Sequence, residues 1–277
     1  MPDFDDFVQK YDICCITETH LDKFDSINID GYTFRHISRE ACKRNSGGVG
    51  VFIKNTLYNK VVILENSTEN FLWFKFRDNA CIFGVVYSPP ESSQYSSLEL
   101  FDELENSILD FNVEYDDCNF CIHGNFNARG GTLPDFNMVN DYVTEHVFDD
   151  NTRNVIGFNN FEDLGFPTDH ISSDVHCNNY GYRLAEMSKF TNIRFVNGRC
   201  GTDANIGKST CNSGSVVDYV LLSDVNFPKV RHFDILEFDP LLSDVHCVLE
   251  LCLNFESLNL PEAVNISSND DEHHVIT

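Results

Sequence analysis

Four apolar segments of this chain each carry a polar residue at one end, and this pattern constrains the fold more than any other feature of the sequence. The segments have the length and residue types of β-strands. One of them ends in a Gly turn that presents two short polar side chains, Asn125 and Asn127. Strand ends meet at an edge of a sheet, so the pattern predicts one polar site suited to phosphate. The polar residues and their segments are Glu18 after 13–17, Asn125 after 119–124, Asp218 after 215–217 and His246 before 247–251.

Six short motifs resemble, in the same order, those of the endonuclease/exonuclease/phosphatase superfamily. The resemblance is closest to the endonuclease domain of non-LTR retrotransposons and covers nearly the whole chain. One motif alone is weak, whereas six in one order are a strong signal. The motifs are Ile16–Leu21, Gly47–Lys54, Val86–Pro90, His123–Arg129, Ser215–Val220 and Ser243–His246.

The resemblance implies an α/β fold in which two mixed β-sheets pack as a sandwich flanked by helices, in four layers. A chain of 277 residues with 42% hydrophobic content is long enough for one large core. We predict one domain over 1–255 and a disordered polar tail over 256–277. The family's first strand has no counterpart here, so the resemblance also predicts an N-terminally truncated domain with a gap in one sheet. In retrotransposon proteins a reverse transcriptase follows this domain, so the resemblance leads us to expect a fragment or a derived relic.

The resemblance also implies roles for individual residues. His246 would contact the scissile phosphate and Asp218 would hold the imidazole in orientation. Mg²⁺ is the implied cofactor, with Mn²⁺ as an alternative on the same oxygen ligands, because these cations prefer carboxylates. The implied catalytic residues are His246, Asp218, Asn125, Asn127 and Tyr87, the implied metal residues are Glu18 and Asp244, and the implied supporting residues are Ser243 and Thr210.

Two positions depart from the family pattern. Asn125 stands where the family motif Gly-Asp-Phe-Asn has an Asp, and an amide cannot accept the proton of an attacking water. Val245 separates Asp244 from His246, which are adjacent in the commonest family form. Adjacent strand residues point to opposite faces, so we predict a bulge at Val245 that displaces Asp244. The enzyme is therefore predicted to be slow or inactive.

The charge of the chain argues against tight DNA binding. It has 44 acidic and 19 basic residues, a formal net charge of −25, whereas a duplex-binding surface normally carries Lys and Arg. We expect only weak binding of DNA, by a monomer. The candidate nucleic-acid contacts are Arg39, Lys43, Arg44 and Arg129.

Three functions stay open at this point. The leading one is a Mg²⁺-dependent phosphodiesterase that nicks DNA and is impaired by Asn125. The second is a catalytically inactive relic that binds nucleic acid or a protein. The third is a phosphatase for a small or lipid phosphate, which suits the acidic charge better. Grouping of the four basic side chains beside Glu18 would favour DNA, and their dispersal would favour a smaller substrate or none.

The positions of the cysteines and the composition of the first residues predict the cellular compartment of the protein. Eleven cysteines lie mostly inside apolar runs, where a thiol behaves as a small hydrophobe, so we expect a reducing intracellular location, nuclear or cytoplasmic. The acidic start is unlike a signal peptide, and no apolar run approaches the ~20 residues that span a bilayer. We therefore expect no membrane association.

Apolar periodicity predicts several helices and strands. Three short motifs lack the spacing or the partners that a functional site would need. Ser96 with Glu99 predicts a capped helix whose apolar face runs from Leu98 to Phe111. Ser173–Cys177 repeats the later Ser-Asp-Val-His-Cys without a following strand, Gly201–Ser209 has the wrong glycine spacing for a P-loop, and the Cys118/Cys121 pair lacks further zinc ligands. The other predicted elements are a hairpin of 71–76 with 80–87, a helix over 182–191, and strands over 194–197, 216–222 and 246–253.

Overall fold

The architecture is a sandwich of two six-stranded mixed sheets. The computed structural model describes residues 2–39, 46–136, 161, 164–255 and 272–277. The first sheet has the strand order β10-β11-β12-β1-β3-β2. Its strands are β1 (Ile13–Thr17), β2 (Tyr32–Ile37), β3 (Val49–Lys54), β10 (Val230–Ile235), β11 (Leu249–Asn254) and β12 (Glu272–Ile276).

The second sheet has the strand order β4-β5-β6-β7-β9-β8. Only β6 and β7 pair in parallel here, and the other neighbours are antiparallel. Its strands are β4 (Val61–Ile63), β5 (Phe71–Phe76), β6 (Cys81–Tyr87), β7 (Asn119–Asn125), β8 (Ile193–Phe195) and β9 (Asp218–Ser223). Within the described residues, the helices are α1 (Pro2–Val8), α2 (Asn55–Tyr58), α3 (Glu99–Glu114) and α4 (Asn179–Thr191), with 3₁₀ turns at Gly201–Asp203 and Asp224–Lys229.

Three apolar layers hold these elements together. The largest core lies between the two sheets, and Val51, Leu251 and Phe83 belong to it. A second core packs the outer face of the second sheet against α3 and α4. A third, smaller core lies against the outer face of the first sheet near α1. The predicted four-layer α/β sandwich is therefore confirmed.

The strands that are easiest to predict from the sequence are those buried on both faces of the sheet. β6 and, apart from Lys75, β5 are apolar throughout because one face meets the other sheet and the opposite face meets helices. They form the predicted antiparallel hairpin.

α3 also forms, with Phe101, Leu104 and Ile108 buried. The predicted capping by Ser96 is wrong, because the residue at the N-cap is Leu98, whose side chain makes no capping hydrogen bond. Leu98 was wrongly placed on its apolar face, since its side chain is 48% exposed.

Two elements begin three residues away from their predicted starts, whereas β8 and β9 differ from the predicted bounds by one or two residues at each end. α4 begins at Asn179, three residues early, because the Asn178 side chain accepts a hydrogen bond from the Gly181 amide and caps the helix. β11 begins at Leu249 and not at His246. Residues 246 and 247 instead pair with 210 and 211, so Val245 precedes the strand and the predicted bulge within it does not form.

β12 is an interior strand of the first sheet. This strand runs parallel to β1 and antiparallel to β11, and it lies between them. The expected disordered tail over 256–277 therefore does not extend to residues 272–276, and 256–271 lie outside the described residues. Among the helices in the described ranges, none is long and apolar enough to cross a membrane.

Candidate functional site

Three of the predicted site residues form one row across the end of the second sheet. β6 ends at Tyr87 and β7 ends at Asn125, and the parallel register places these residues side by side. β9 begins at Asp218, which pairs with Asn125 in the antiparallel ladder. Each of the three is at most 5% exposed. Buried polar groups of this kind need hydrogen-bond partners, so the row must be completed by other side chains.

Gly124 allows the row to form. Its φ is +148°, and a Cβ atom there would lie 1.9 Å from the carbonyl oxygen of Val86 on the neighbouring strand. Any side chain at this position would push β7 away from β6. The glycine before Asn125 is therefore required by the close approach of two backbones.

His246 completes the row from the loop that precedes β11. Its Nδ1 lies 2.9 Å from Oδ2 of Asp218, and its Nε2 lies 3.3 Å from Nδ2 of Asn125. Burial lowers the pKa of His246, but the hydrogen bond to Asp218, with a contact to Cys211, outweighs burial and raises the pKa to about 10. The geometry therefore favours an imidazole that keeps a proton on Nδ1.

Thr210 and Ser243, the two predicted supporting residues, hold the dyad of Asp218 and His246 in place. The Thr210 hydroxyl accepts hydrogen bonds from the amides of Val217 and Asp218, at 3.0 and 3.1 Å. The Ser243 hydroxyl accepts one from the His246 amide at 3.0 Å. Burial raises the pKa of Asp218, and the hydrogen bonds from His246 and Thr210 oppose that rise. The carboxyl group is thus buried, but it is surrounded by donors.

Asn127 lies just beyond the row, in a left-handed conformation with φ +48°. Its amide donates to Oδ1 of Asn125 at 2.9 Å, and its side-chain Nδ2 donates to the carbonyl oxygen of Ser88 at 2.7 Å. The first of these bonds fixes the orientation of the Asn125 side chain, because its Oδ1 is already an acceptor. Nδ2 of Asn125 is therefore the group that faces His246.

Glu18 comes from the first sheet and reaches across to the second. It follows β1 in a left-handed turn with φ +52° and hydrogen-bonds to Tyr87. Burial and this carboxylate both raise the pKa of Tyr87, so the phenol keeps its proton. Gly48 leaves room for the turn, since a Cβ there would lie 2.6 Å from Oγ1 of Thr19. The Gly-Gly motif at 47–48 therefore has a steric role, because it makes room for the turn that carries Glu18.

No family model and no curated protein matches the sequence, but many solved structures are similar to this chain, among them two nucleases and a phosphatase. The endonuclease domain of TRAS1, a telomere-specific non-LTR retrotransposon, is 13% identical, with a TM-score of 0.52 over 88% of this chain and 86% of that chain. The NExo 3′-5′ exonuclease from Neisseria meningitidis is 12% identical, with a TM-score of 0.53 over 89% and 91%. An NExo 3′ phosphatase bound to a product DNA hairpin is 11% identical, with a TM-score of 0.53 over 84% and 85%.

The chain has an endonuclease/exonuclease/phosphatase-like fold. Identities of 11 to 13% establish the fold alone, so the chemistry has to be argued from the site itself.

In this endonuclease/exonuclease/phosphatase-like fold, the predicted metal residues share one cavity with His246. The cavity has a volume of about 420 Å³ and is lined by Glu18, Asp244 and His246 among others. Asp244 is exposed, whereas Thr19 beside Glu18 has a buried hydroxyl with no hydrogen-bond partner among the described residues. Carboxylate and hydroxyl oxygens are ligands that suit Mg²⁺ or Mn²⁺. The residues present therefore fit a hard divalent cation.

The predicted basic contacts do not form a free cationic surface in the described part of the chain. Arg39 is paired with Glu69 at 2.9 Å, and its side chain is only 4% exposed. Arg129 makes two hydrogen bonds to Asp174, at 2.6 and 2.7 Å. Lys43 and Arg44 lie outside the described residues. Both described arginines are neutralised by carboxylates, so neither offers an unpaired charge to DNA.

The dismissed motifs have structural roles. Asp174, in the repeated Ser-Asp-Val-His-Cys segment, binds Arg129 and accepts from the amides of His176 and Val216. It therefore fixes the loop after β7 to the start of β9. Lys208, in the segment that resembles a P-loop, pairs with Asp234 at 2.7 Å. Neither segment contributes to the cavity around Glu18.

Sequence reasoning missed two residues of the site, Thr19 and Cys211. Cys211 is 7% exposed, and its Sγ lies 3.4 Å from Nδ1 of His246. It reaches this place through an isolated β-bridge to His246. Its position next to Thr210 was the one available signal, because no spacing rule connects residues 35 positions apart.

Proposed function

We propose that this chain is a divalent-metal-dependent phosphoesterase that nicks DNA, with turnover slowed by Asn125. The observation that supports this most strongly is the hydrogen-bonded chain Asp218–His246–Asn125 at a cavity that also contains Glu18. The TRAS1 domain is an endonuclease, and one NExo structure contains a product DNA hairpin. These neighbours favour a nucleic-acid phosphate as the substrate.

The proposed role of His246 is to place positive charge against the phosphate. Asp218 holds the proton on Nδ1, which leaves Nε2 directed toward Asn125 and the cavity. A preorganised donor in a partly buried site stabilises charge that develops in the transition state. Glu18, Thr19 and Asp244 would hold the cation, which when bound would neutralise charge on the phosphate.

The proposed defect lies at Asn125. Its amide can orient a water molecule or a phosphate oxygen, but it cannot remove a proton from water. General-base catalysis typically contributes ~10² to 10⁴-fold to the rate, so an amide at this position leaves a slow enzyme. Tyr87 and Asn127 flank this group and are proposed to bind the phosphate.

A smaller phosphate ester is the second candidate substrate. It is favoured by the net charge of −25 and by the pairing of Arg39 and Arg129 with carboxylates. A small ester needs fewer cationic contacts than a duplex, whose affinity depends on neutralising several phosphates. The catalytic residues would be the same.

The test is nicking of supercoiled plasmid by the full chain in Mg²⁺, compared with EDTA, alongside hydrolysis of a fluorogenic phosphomonoester. Glu18→Gln removes the proposed metal carboxylate, and Glu65→Gln, at an exposed position, is the matched control. Nicking that is lost in EDTA and in Glu18→Gln supports the proposal. Monoester hydrolysis without nicking selects the second substrate, and no activity from folded wild type on either overturns both.

A further inference from the structure

Cys211 is fixed beside the catalytic dyad by backbone pairing. The amide of Asn212 donates to the carbonyl oxygen of Val245 at 2.9 Å, and the amide of Cys247 donates to that of Thr210 at 2.7 Å. These two bonds flank the bridge between Cys211 and His246. The main chain therefore holds Cys211 next to His246, and its side chain has only to adopt the rotamer that faces the imidazole.

The three donor atoms of this cluster form a triangle of the size that a tetrahedral metal ion requires. Sγ of Cys211 lies 3.4 Å from Nδ1 of His246 and 4.0 Å from Oδ2 of Asp218, and Nδ1 lies 2.9 Å from Oδ2. With Zn–S near ~2.3 Å and Zn–N or Zn–O near ~2.0–2.2 Å, tetrahedral ligands lie roughly 3.3 to 3.6 Å apart. Shifts of about half an ångström would bring all three onto one ion.

The chemistry of these donors differs from that of the Glu18 group. A thiolate and an imidazole select zinc and similar borderline-soft cations, whereas Mg²⁺ requires oxygen ligands. Glu18, Thr19 and Asp244 offer only side-chain oxygen atoms. The site thus contains two donor sets of different softness, and both adjoin His246.

We propose that Cys211, Asp218 and His246 form a binding site for a zinc-like divalent cation, distinct from the Mg²⁺ position and inhibitory to the phosphoesterase. Cys211 and Asp218 are buried, while the His246 side chain is 25% exposed, so water can supply the fourth ligand from that side. Binding releases one proton from Sγ and one from Nδ1 to solvent. The Nδ1–Asp218 hydrogen bond is replaced by two bonds to the metal, and His246 loses the proton that Asp218 holds there.

The metal site itself does not depend on the proposed function, but its inhibitory effect does. Binding is therefore measured first, with Co²⁺ as the spectroscopic probe on the full chain in excess Mg²⁺ and a phosphine reductant. A cobalt–thiolate charge-transfer band is expected, with one equivalent of Co²⁺ fewer bound by Cys211→Ser than by wild type. Cys247→Ser, which alters the half-buried neighbour, is the matched control and should bind as wild type does.

Inhibition is measured second, as plasmid nicking in Mg²⁺ with increasing Zn²⁺, each variant scaled to its own zinc-free rate. Loss of one ligand should raise the inhibitory Zn²⁺ concentration by at least about 10- to 100-fold in Cys211→Ser. Equal Co²⁺ binding by wild type and Cys211→Ser would overturn the metal site. A site that binds Co²⁺ in a chain that does not nick DNA would refute the proposed function and leave the site standing.

Discussion

Asp218 and Asn125 contact different nitrogens of the His246 ring and favour different protonation states of it. The Asp218 carboxylate stabilises the protonated ring at Nδ1, whereas the Asn125 amide approaches Nε2 with a donor. A donor at Nε2 pairs with a nitrogen that carries no proton. A carboxylate in place of the amide would instead accept a proton from Nε2. The bond to Asp218 prevails, because it raises the pKa of His246 to about 10 and so keeps the ring charged. The amide at position 125 disfavours this charge, whereas an Asp there would stabilise it.

Replacing Asp218 with Asn should remove the group that orients His246. We expect Asp218→Asn to lower the rate of Mg²⁺-dependent phosphoester hydrolysis by about 10²-fold or more, because the imidazole loses its charge partner. The measurement is the single-turnover rate, with histidine NMR titration showing a lower pKa for His246. Asp234→Asn, in an ion pair outside the cavity, is the control and should retain activity. An unchanged rate in Asp218→Asn would contradict the orienting role.

His123 makes the protein sensitive to acid. Burial lowers its pKa to about 3, and its Nδ1 has no hydrogen-bond partner among the described residues. An unfolded histidine titrates near ~6.5, so below that pH the unfolded chain binds a proton that the native chain does not. Stability is therefore full above pH ~6.5 and falls as the pH drops toward 3, by ~1.4 kcal/mol per unit from this residue.

The substitution His123→Leu should remove this part of the pH dependence. Urea unfolding at pH 7.5, 6.0 and 5.0 should show a free energy of unfolding that declines less steeply in the variant, by ~1.4 kcal/mol per unit well below pH ~6.5. His176→Leu, at an exposed position, should keep the wild-type slope. Parallel slopes for wild type and His123→Leu would show that His123 is protonated in the native state.

β12 closes the first sheet and bears on both stability and the site. It fills the space between β1 and β11, whose backbone groups would otherwise be unpaired inside a sheet. Val275 belongs to the core between the sheets, and Ile276 and Thr277 line the cavity next to Glu18. The strand therefore connects the core to the wall of the candidate site.

A charge at Val275 tests the placement of β12. Val275 is 1% exposed, so Val275→Asp buries a carboxylate and should cost several kcal/mol of unfolding free energy, about 3 or more. Val225 is 56% exposed, and Val225→Asp should change stability by less than about 0.5 kcal/mol. Chemical denaturation of both variants gives the comparison. Similar small effects would mean that β12 does not lie in the sheet.

The elements that sequence predicts well are those with strong local patterns. β5, β6 and α3 are set by runs or periodicities of apolar residues within one segment. β12 has only two apolar residues, Val275 and Ile276, and its partners lie far away in sequence, so no local pattern reveals it. The start of β11 was misplaced for the same reason, since residues 246 and 247 pair with a distant segment.

Both sheets supply residues to the candidate site, and neither sheet contains all of them. Tyr87, Asn125 and Asp218 come from the second sheet, and Glu18 comes from the first. Glu18, Asn125 and Asp218 were predicted from their positions at the ends of apolar segments, and Tyr87 was predicted from the family resemblance. Cys211 was not predictable, and neither were the ion pairs of Arg39 and Arg129, since these depend on contacts between loops.

The central claim is that this is a phosphoesterase site whose rate is limited by an amide at position 125. The most direct test is the single-turnover rate of plasmid nicking in Mg²⁺ by Asn125→Asp and by wild type. Asn119→Asp, at the opposite end of the same strand, is the matched control. The account predicts a rate about 10²- to 10⁴-fold higher for Asn125→Asp alone. A folded Asn125→Asp protein that nicks DNA no faster than wild type would contradict it.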